Sequence, residues 1–330
     1  MGLRTLRRAL LAGAVLAATA AFTAGSALAQ AYPARALRMV IPFPAGGSAD
    51  LAGRVVAQRL SESLGQPVVV ENRVGANGAI GAEAVARAPK DGYTVLLGSN
   101  ANITINPHVY GSASFDPVKE LVPVAMLSVS PLMLFVNPAV IPAANVRELV
   151  EYVKARPGKV DYASAGSGSQ GHLAAEFLAQ SAGLSMVHVP YKGGTPAVND
   201  VLAGRIGMSF AAVTTVLPHV RAGKLRGLAT TGQTRPSFAS DLPTMIEAGI
   251  PGFDVVVWNA LFLPTGTPDA IVQRLHAEST RIASLQAVKD LLAAQGSESW
   301  TMPHAALLKL VAAENERWGA VVKRAGIKPE

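Results

Sequence analysis

Val40-Ile41-Pro42-Phe43-Pro44-Ala45-Gly46-Gly47-Ser48-Ala49-Asp50 carries a short apolar run into a glycine turn and then into a helical pattern. A helix start leaves its first backbone N–H groups without internal partners and bears partial positive charge, so a flexible loop at this point suits an anion. Ser48 adds a hydroxyl donor. A second strand, loop and helix of the same kind spans Tyr162 to Ala175, with Gly166, Ser167, Gly168, Ser169 and Gly171 ahead of an amphipathic run. Two such loops facing each other would grip a small acid.

Outward from the first loop, β-branched runs alternate with helical ones. Leu37 to Phe43, Pro67 to Glu71 and Tyr93 to Leu97 read as strands, and Asp50 to Leu64 and Ala76 to Ala88 as helices. This βαβαβ order implies a parallel sheet with ligand loops beyond the carboxyl ends of its strands. From Asn100 to Pro117 the periodicity fades, which suits a crossing between lobes. Leu121 to Val146 has no charged side chain, but Pro123, Pro131, Pro138 and Pro142 would break a membrane helix, so two buried strands are expected there. A second α/β block runs to Thr230. A strand at Phe253 to Phe262 and helices at Asp269 to Ser284, Gln286 to Ala294 and Pro303 to Arg324 follow. The expected plan is an α/β chain of two lobes with two hinge crossings: residues 30–102 with 231–330, and 103–230 between them.

The first 29 residues read as a signal peptide. Arg4, Arg7 and Arg8 precede the apolar Ala9 to Ala24, and Ala27-Leu28-Ala29 offers a cleavage site ahead of Gln30. The periplasm is the expected location, by the general secretory route in preference to the twin-arginine one. With no cysteine in the chain, disulfides and a lipid anchor are excluded. Removing the signal takes away three arginines, leaving 26 basic against 22 acidic residues, a net charge of +4. That balance suits an acidic small ligand and lacks the basic stripe that nucleic acid requires.

Other chemistries have weaker support. Gly166-Ser167-Gly168-Ser169-Gln170-Gly171 has the spacing of a dinucleotide loop, but Pro190, Tyr191 and Lys192 stand where an acidic ribose partner belongs. An exported α/β reductase using that loop is the alternative function. No Gly-x-Ser-x-Gly motif is present, and the six histidines form no ligand-spaced pair, so neither a catalytic serine nor a metal site is expected. Asp50 reads either as an acceptor for loop and helix N–H groups or as a ligand contact, the first being favoured. Asn77-Gly78 is a plain turn or a second contact near the same strand ends. Phe43, Tyr191 and Trp258 lie beside loops in a chain with only 5% aromatics, as packing or as cavity walls. Trp258 beside Asn259 is the strongest wall candidate.

The chain resembles the periplasmic substrate-binding proteins of tripartite tricarboxylate transporters, the Bug family, over nearly all of its mature length. The likeness rests on Tyr32-Pro33, Pro42 to Gly47 with Asp50, Val70-Glu71-Asn72-Arg73, Asp91-Gly92-Tyr93, Ile105-Asn106-Pro107 and Phe115-Asp116-Pro117. It continues through Tyr162 to Gly168 with His172-Leu173, Val189 to Gly194, Leu242-Pro243-Thr244 with Glu247-Ala248-Gly249, and Pro264 to Pro268. The resemblance implies a Venus-flytrap, type II-like periplasmic-binding-protein fold, no catalytic activity and no cofactor. It also implies a small carboxylate ligand (a dicarboxylate, tricarboxylate, acidic amino acid or aromatic acid), held partly through waters between Ala45 to Ser48 and Ser167 to Ser169 with His172. Closure on that ligand would present a monomeric receptor to an ion-driven permease of the tripartite tricarboxylate type. A sensor that shows its ligand to a kinase would share the fold and differ in partner.

Overall fold

The computed structural model describes residues 32–46, 48–111 and 115–327. The expected signal peptide and Gly47 lie outside the described residues, and Ser48 is described in its backbone alone. Strands β1 (Leu37–Ile41), β2 (Val68–Asn72) and β3 (Thr94–Ser99) form a parallel set with β1 in the centre. Helix α1 (Ser48–Leu64) begins two residues earlier than the sequence suggests and buries Ala52, Val56, Ala57, Leu60 and Leu64, a helical spacing, against β1. Gly53 permits the close approach, since a Cβ there would fall 2.5 Å from Ile41 Cδ1. Helix α2 (Ala79–Ala86) is preceded by a short 3-10 turn at Ala76–Gly78 in which Asn77 adopts φ 49°.

Asn100 to Pro117 is more ordered than its sequence suggests. A π-helical turn (Ala101–Ile105) runs into α3 (Asn106–Tyr110), and α4 (Pro117–Glu120) follows. Asn100, Asn102, Thr104 and Asn106 are all buried, and two of them bond to distant parts of the chain: Asn100 Nδ2 donates to Val256 O, and Asn106 Nδ2 to Asn77 O. Polar side chains on a buried face erase the apolar periodicity by which a helix is recognised.

The expected pair of strands in Leu121 to Val146 is instead one strand of sixteen residues, β4 (Leu121–Val136). Its prolines sit where a ladder can spare an N–H. Pro123 lies at a bulge, and Pro131 is the last residue to pair with β9 (Val256–Pro264) before Leu132 begins pairing with β7 (Met208–Ala212). The first part of β4 thus belongs to one sheet and the last five residues to another.

The second block supplies α5 (Val146–Lys154), β5 (Asp161–Ser164), α6 (Gln170–Ala182), β6 (Val187–Pro190), α7 (Gly194–Leu202), β7, α8 (Val213–Arg221) and β8 (Arg226–Thr230). Strand order along the whole is β2-β1-β3-β9-β4-β7-β5-β6, with β8 and the short β10 (Glu298–Ser299) also on β4. The expected parallel pairing holds within each half, β1 with β2 and β3, β5 with β6 and β7. The joining strands β4 and β9 are antiparallel to their neighbours. The molecule is a bilobed α/β periplasmic-binding-protein fold. Among the described residues no helix is long and apolar enough to cross a membrane.

Helices α9 (Asp269–Ala283) and α10 (Gln286–Ala294) cover the first sheet. The last helix, α11 (His304–Ala325), spans both halves: Leu307 and Val311 join the core around Trp258 and Phe262, while Trp318, Val321 and Val322 join the core around Tyr162 and Phe210. Between these ends Glu314 is buried and accepts from Trp258 Nε1 at 2.8 Å and Trp318 Nε1 at 3.3 Å, with Arg317 on its other oxygen at 2.5 Å. Burial pushes the Glu314 carboxyl above its usual range, against the pull of Arg317 and the two indoles. We expect Glu314→Ala to destabilise the fold by about 2–4 kcal/mol by orphaning two buried indole N–H groups. Urea unfolding followed by tryptophan fluorescence measures this, and a loss below about 0.5 kcal/mol would mean the carboxylate carries no such load.

Candidate functional site

The first glycine loop is fastened by one carboxylate. Asp50 is only 2% exposed; its Oδ2 accepts from Gly46 N and Arg54 Nε, both at 2.9 Å, and its Oδ1 from Asn72 Nδ2 at 2.8 Å. Asn72 Nδ2 also donates to Phe43 O at 3.0 Å, which ties the loop to the end of β2. Burial alone would raise the Asp50 pKa, but the bonds from Arg54, Gly46 and Asn72 outweigh it and hold the group at about 2. Of the two readings of Asp50 in the sequence, this geometry is that of the loop acceptor.

The second loop is also satisfied from within. Gly166 N donates to Ser164 Oγ, Ser169 N to Gly166 O, and Gly168 N to His172 Nδ1 at 3.1 Å. Ser169 caps α6 by accepting from His172 N. His172 stacks on His188 with ring centroids 3.6 Å apart, and burial together with that ring depresses its pKa to about 3. His172 is therefore neutral, with Nδ1 the acceptor. Three loop amides that a pyrophosphate would need already have partners, which removes the basis for the dinucleotide alternative. Gly171 is explained by packing: a Cβ there would fall 2.5 Å from Phe210 O.

Between the loops lies a cavity of about 360 Å³. Ala49, Gln170 and Thr214 bring the first turns of α1, α6 and α8 to its wall, while Ser99 and Ala212 are the last residues of β3 and β7. Phe43, Pro131, Leu132 and Val257 add an apolar band; Asn77, Ser130, Asn259 and Gln295 add neutral polar groups. Among the described residues no charged side chain lines it. Gln170 Nε2 donates to Asn100 Oδ1 at 3.2 Å, one bond from one half of the molecule to the other.

The residues singled out in the sequence divide accordingly. Phe43 and Asn77 line the cavity. Ala45 and Gly46 lie on the exposed first loop, Gly47 is outside the described residues, and Ser48 opens α1. Ser167 is half-buried in the second loop, and Gly168 packs toward Val109. Three placements differ from expectation. Trp258 is fully buried on the far face of β9, held by Glu314, and its neighbours Val257 and Asn259 reach the cavity instead, because side chains alternate along a strand. Tyr191 turns to Asp200, donating its hydroxyl at 2.7 Å, and buttresses the Gly166 loop from behind. His172 is likewise a loop support, committed to Gly168. Gln170 was legible beside the second loop. Thr214 and Gln295 carry no local signal, since distant parts of the chain bring them in.

The sequence profile described as tripartite tricarboxylate transporter family receptor matches residues 52–327. The chain belongs to that family. Its solved relatives agree. Rpa4515 of R. palustris, solved with adipate, is 34% identical, covering 91% of this chain and 100% of that one, with a TM-score of 0.75. The periplasmic binding protein BugD is 33% identical over 90% and 100% of the two chains, with a TM-score of 0.71. MatC from Rhodopseudomonas palustris, solved with malate, is 30% identical over 88% and 100%, also at 0.71. As a receptor of this family the chain is a binding protein of the periplasm, not an enzyme.

In this receptor the Asp50 anchor gives a pH signature. Its folded pKa lies below the unfolded value near 3.8, so its contribution is complete above about pH 4 and is lost as pH falls through about 2. We expect the stability gap between wild type and Asp50→Asn to close over that window in an acid titration followed by circular dichroism. A gap that stays constant with pH would show that the charge of Asp50 is irrelevant.

Proposed function

We propose that this receptor binds a small carboxylate in the cavity between its lobes, closes on it by a hinge motion and delivers it to an ion-driven tripartite permease. The observation that carries this reading is a neutral cavity where the first turns of three helices meet. Helix starts supply partial positive charge to a carboxylate without a lysine or arginine, and the apolar band suits a short carbon chain. The adipate and malate found in Rpa4515 and MatC support the ligand class. Phe43 and Asn77 are the direct contacts; Ala45 to Ser48 and Ser167 to Ser169 hold the bridging waters, and Asp50 and His172 hold the loops. Tyr191 and Trp258 act at one remove.

The lobes of this reading are residues 30–102 with 231–330, and 103–230; the parallel sets β1 with β2 and β3, and β5 with β6 and β7, support the division, while the β9-paired part of β4 and the end of α11 cross it. Contact with both lobes only in the closed form would shift the population toward closure, and the closed receptor then docks on the permease. The chain reaches the periplasm through a signal peptide cleaved ahead of Gln30, which N-terminal sequencing of the exported protein would read.

The test is a thermal and calorimetric titration of the ligand-stripped mature protein with C4 to C6 dicarboxylates. Saturation at 100 times the dissociation constant should add about 2.7 kcal/mol of stability. Ala212→Asp, which places a negative charge in the cavity wall, should abolish that gain while the ligand-free protein still folds. Unchanged binding in this variant would move the site elsewhere, and the absence of binding by any carboxylate would overturn the reading.

A further inference from the structure

Ala76 and Asn77 have φ 46° and 49°, and among the described residues no other non-glycine residue has a positive φ. Gly75 and Gly78 on either side have φ 140° and 91°, so four consecutive residues lie where L side chains are rarely found. Glycine takes such a conformation freely and asparagine tolerates it, but in alanine the Cβ crowds the following carbonyl oxygen. The left-handed form of Ala76 is therefore imposed by its surroundings and not preferred by the residue.

The surroundings are supplied from the crossing between the halves. Asn106, the first residue of α3, is 4% exposed. Its Nδ2 donates to Ala76 O at 3.2 Å and to Asn77 O at 2.9 Å, and its Oδ1 accepts from Asn77 Nδ2 at 2.8 Å. One buried amide thus holds the carbonyls of both left-handed residues and the Asn77 side chain. Buried Asn102 closes the turn from the same segment: a Cβ at Gly78 would fall 3.0 Å from Asn102 Cβ and 3.4 Å from Phe43 Cζ. Phe43 and Asn77 line the cavity, whereas Ala76 and Asn106 lie outside its lining, and Ala76 is exposed. Strained backbone persists only where the rest of the structure over-determines it, and here it does so beside a ligand wall, which fixes the wall before a ligand arrives.

We infer that Asn106 is a positioning residue for ligand binding: its side-chain amide clamps Ala76 and Asn77 in a strained left-handed turn and so sets Asn77 against the cavity. The inference rests on the carboxylate reading above and deepens it. The two glycine loops secure the acid, and the crossing, through Asn106, holds a third part of the wall in place.

The test is a calorimetric titration of ligand-stripped mature protein with succinate and adipate at neutral pH. Asn106→Ala should weaken binding of whichever acid wild type takes by about tenfold, the cost of holding one alanine left-handed without the clamp. Adding Ala76→Gly to that variant should restore the affinity to within about threefold of wild type, because glycine takes φ 46° unaided. A residue that only stabilised the fold would give no such rescue. Ala76→Val strains the turn without removing any buried group: a β-branched side chain resists a positive φ, so affinity should fall about fivefold while the ligand-free melting midpoint stays within about 2 °C. If Asn106→Ala fails to fold, Ala76→Val decides alone. Wild-type affinity in Asn106→Ala overturns the inference, as does a double variant that binds no more tightly than the single one, or an Ala76→Val protein that binds like wild type. Each of these leaves the receptor reading intact, whereas no binding of any C4 to C6 dicarboxylate by wild type rejects both.

Discussion

One strand hydrogen-bonds to two sheets, and the rest of the molecule is arranged around that sharing. β4 pairs with β9 as far as Pro131 and with β7 from Leu132 onward. A proline at the change of partner gives up an N–H where neither ladder uses it and leaves the backbone stiff in φ. The consequence is positional. Ser130, Pro131 and Leu132, the residues at the change of partner, form one wall of the cavity between the two glycine loops. Any rotation of one sheet against the other is therefore felt at that wall, which is the mechanical requirement of the closure proposed above.

In the proposed reading the cavity holds an acid without basic side chains. Desolvating an arginine or lysine beside a small ligand is expensive and would hold the acid tightly. Helix starts provide weaker, fixed partial charges, which suit a protein that must release its cargo to a permease. The ionised groups are kept behind the wall. Asp50 spends its charge on Gly46, Arg54 and Asn72, and neutral His172 spends its acceptor on Gly168. Both loops are thus rigid before a ligand arrives, so less entropy is lost on binding.

Behind the cavity, α11 provides the counterpart to β4. Its two ends sit in the cores of the two halves, and Glu314 holds an indole from each. A buried carboxylate with three donors is satisfied only when those donors converge. That gives the back of the molecule a defined geometry while the cleft at the front remains the surface able to open. The turn from Gln295 to Ser297, anchored to β4 through Ser130 and pressed against Thr214, lies on the front side of the same arrangement.

The sequence by itself determined the alternation of strands and helices, the two glycine loops at helix starts, the absence of a charged stripe, and the family, because each of these is written in local periodicity or in short ordered motifs. It placed helix α10 at its observed limits and most other elements within two or three residues. Several features were decided by tertiary structure alone. Leu121 to Val136 reads as two strands because prolines interrupt it, and only the partners on either side make it one. Asn100 to Asn106 reads as irregular because its buried face is polar, and the side-chain amides of Asn100 and Asn106 donate to Val256, Ala76 and Asn77, residues far away in sequence. Trp258 seemed a cavity wall by its neighbourhood, yet the parity of a strand is set by the core it packs on, and Glu314 lay 56 residues away. Thr214 and Gln295 reach the cavity from opposite halves of the molecule. Local sequence fixes what an element is, but which side of it meets a ligand depends on long-range packing, whose contacts no short motif records.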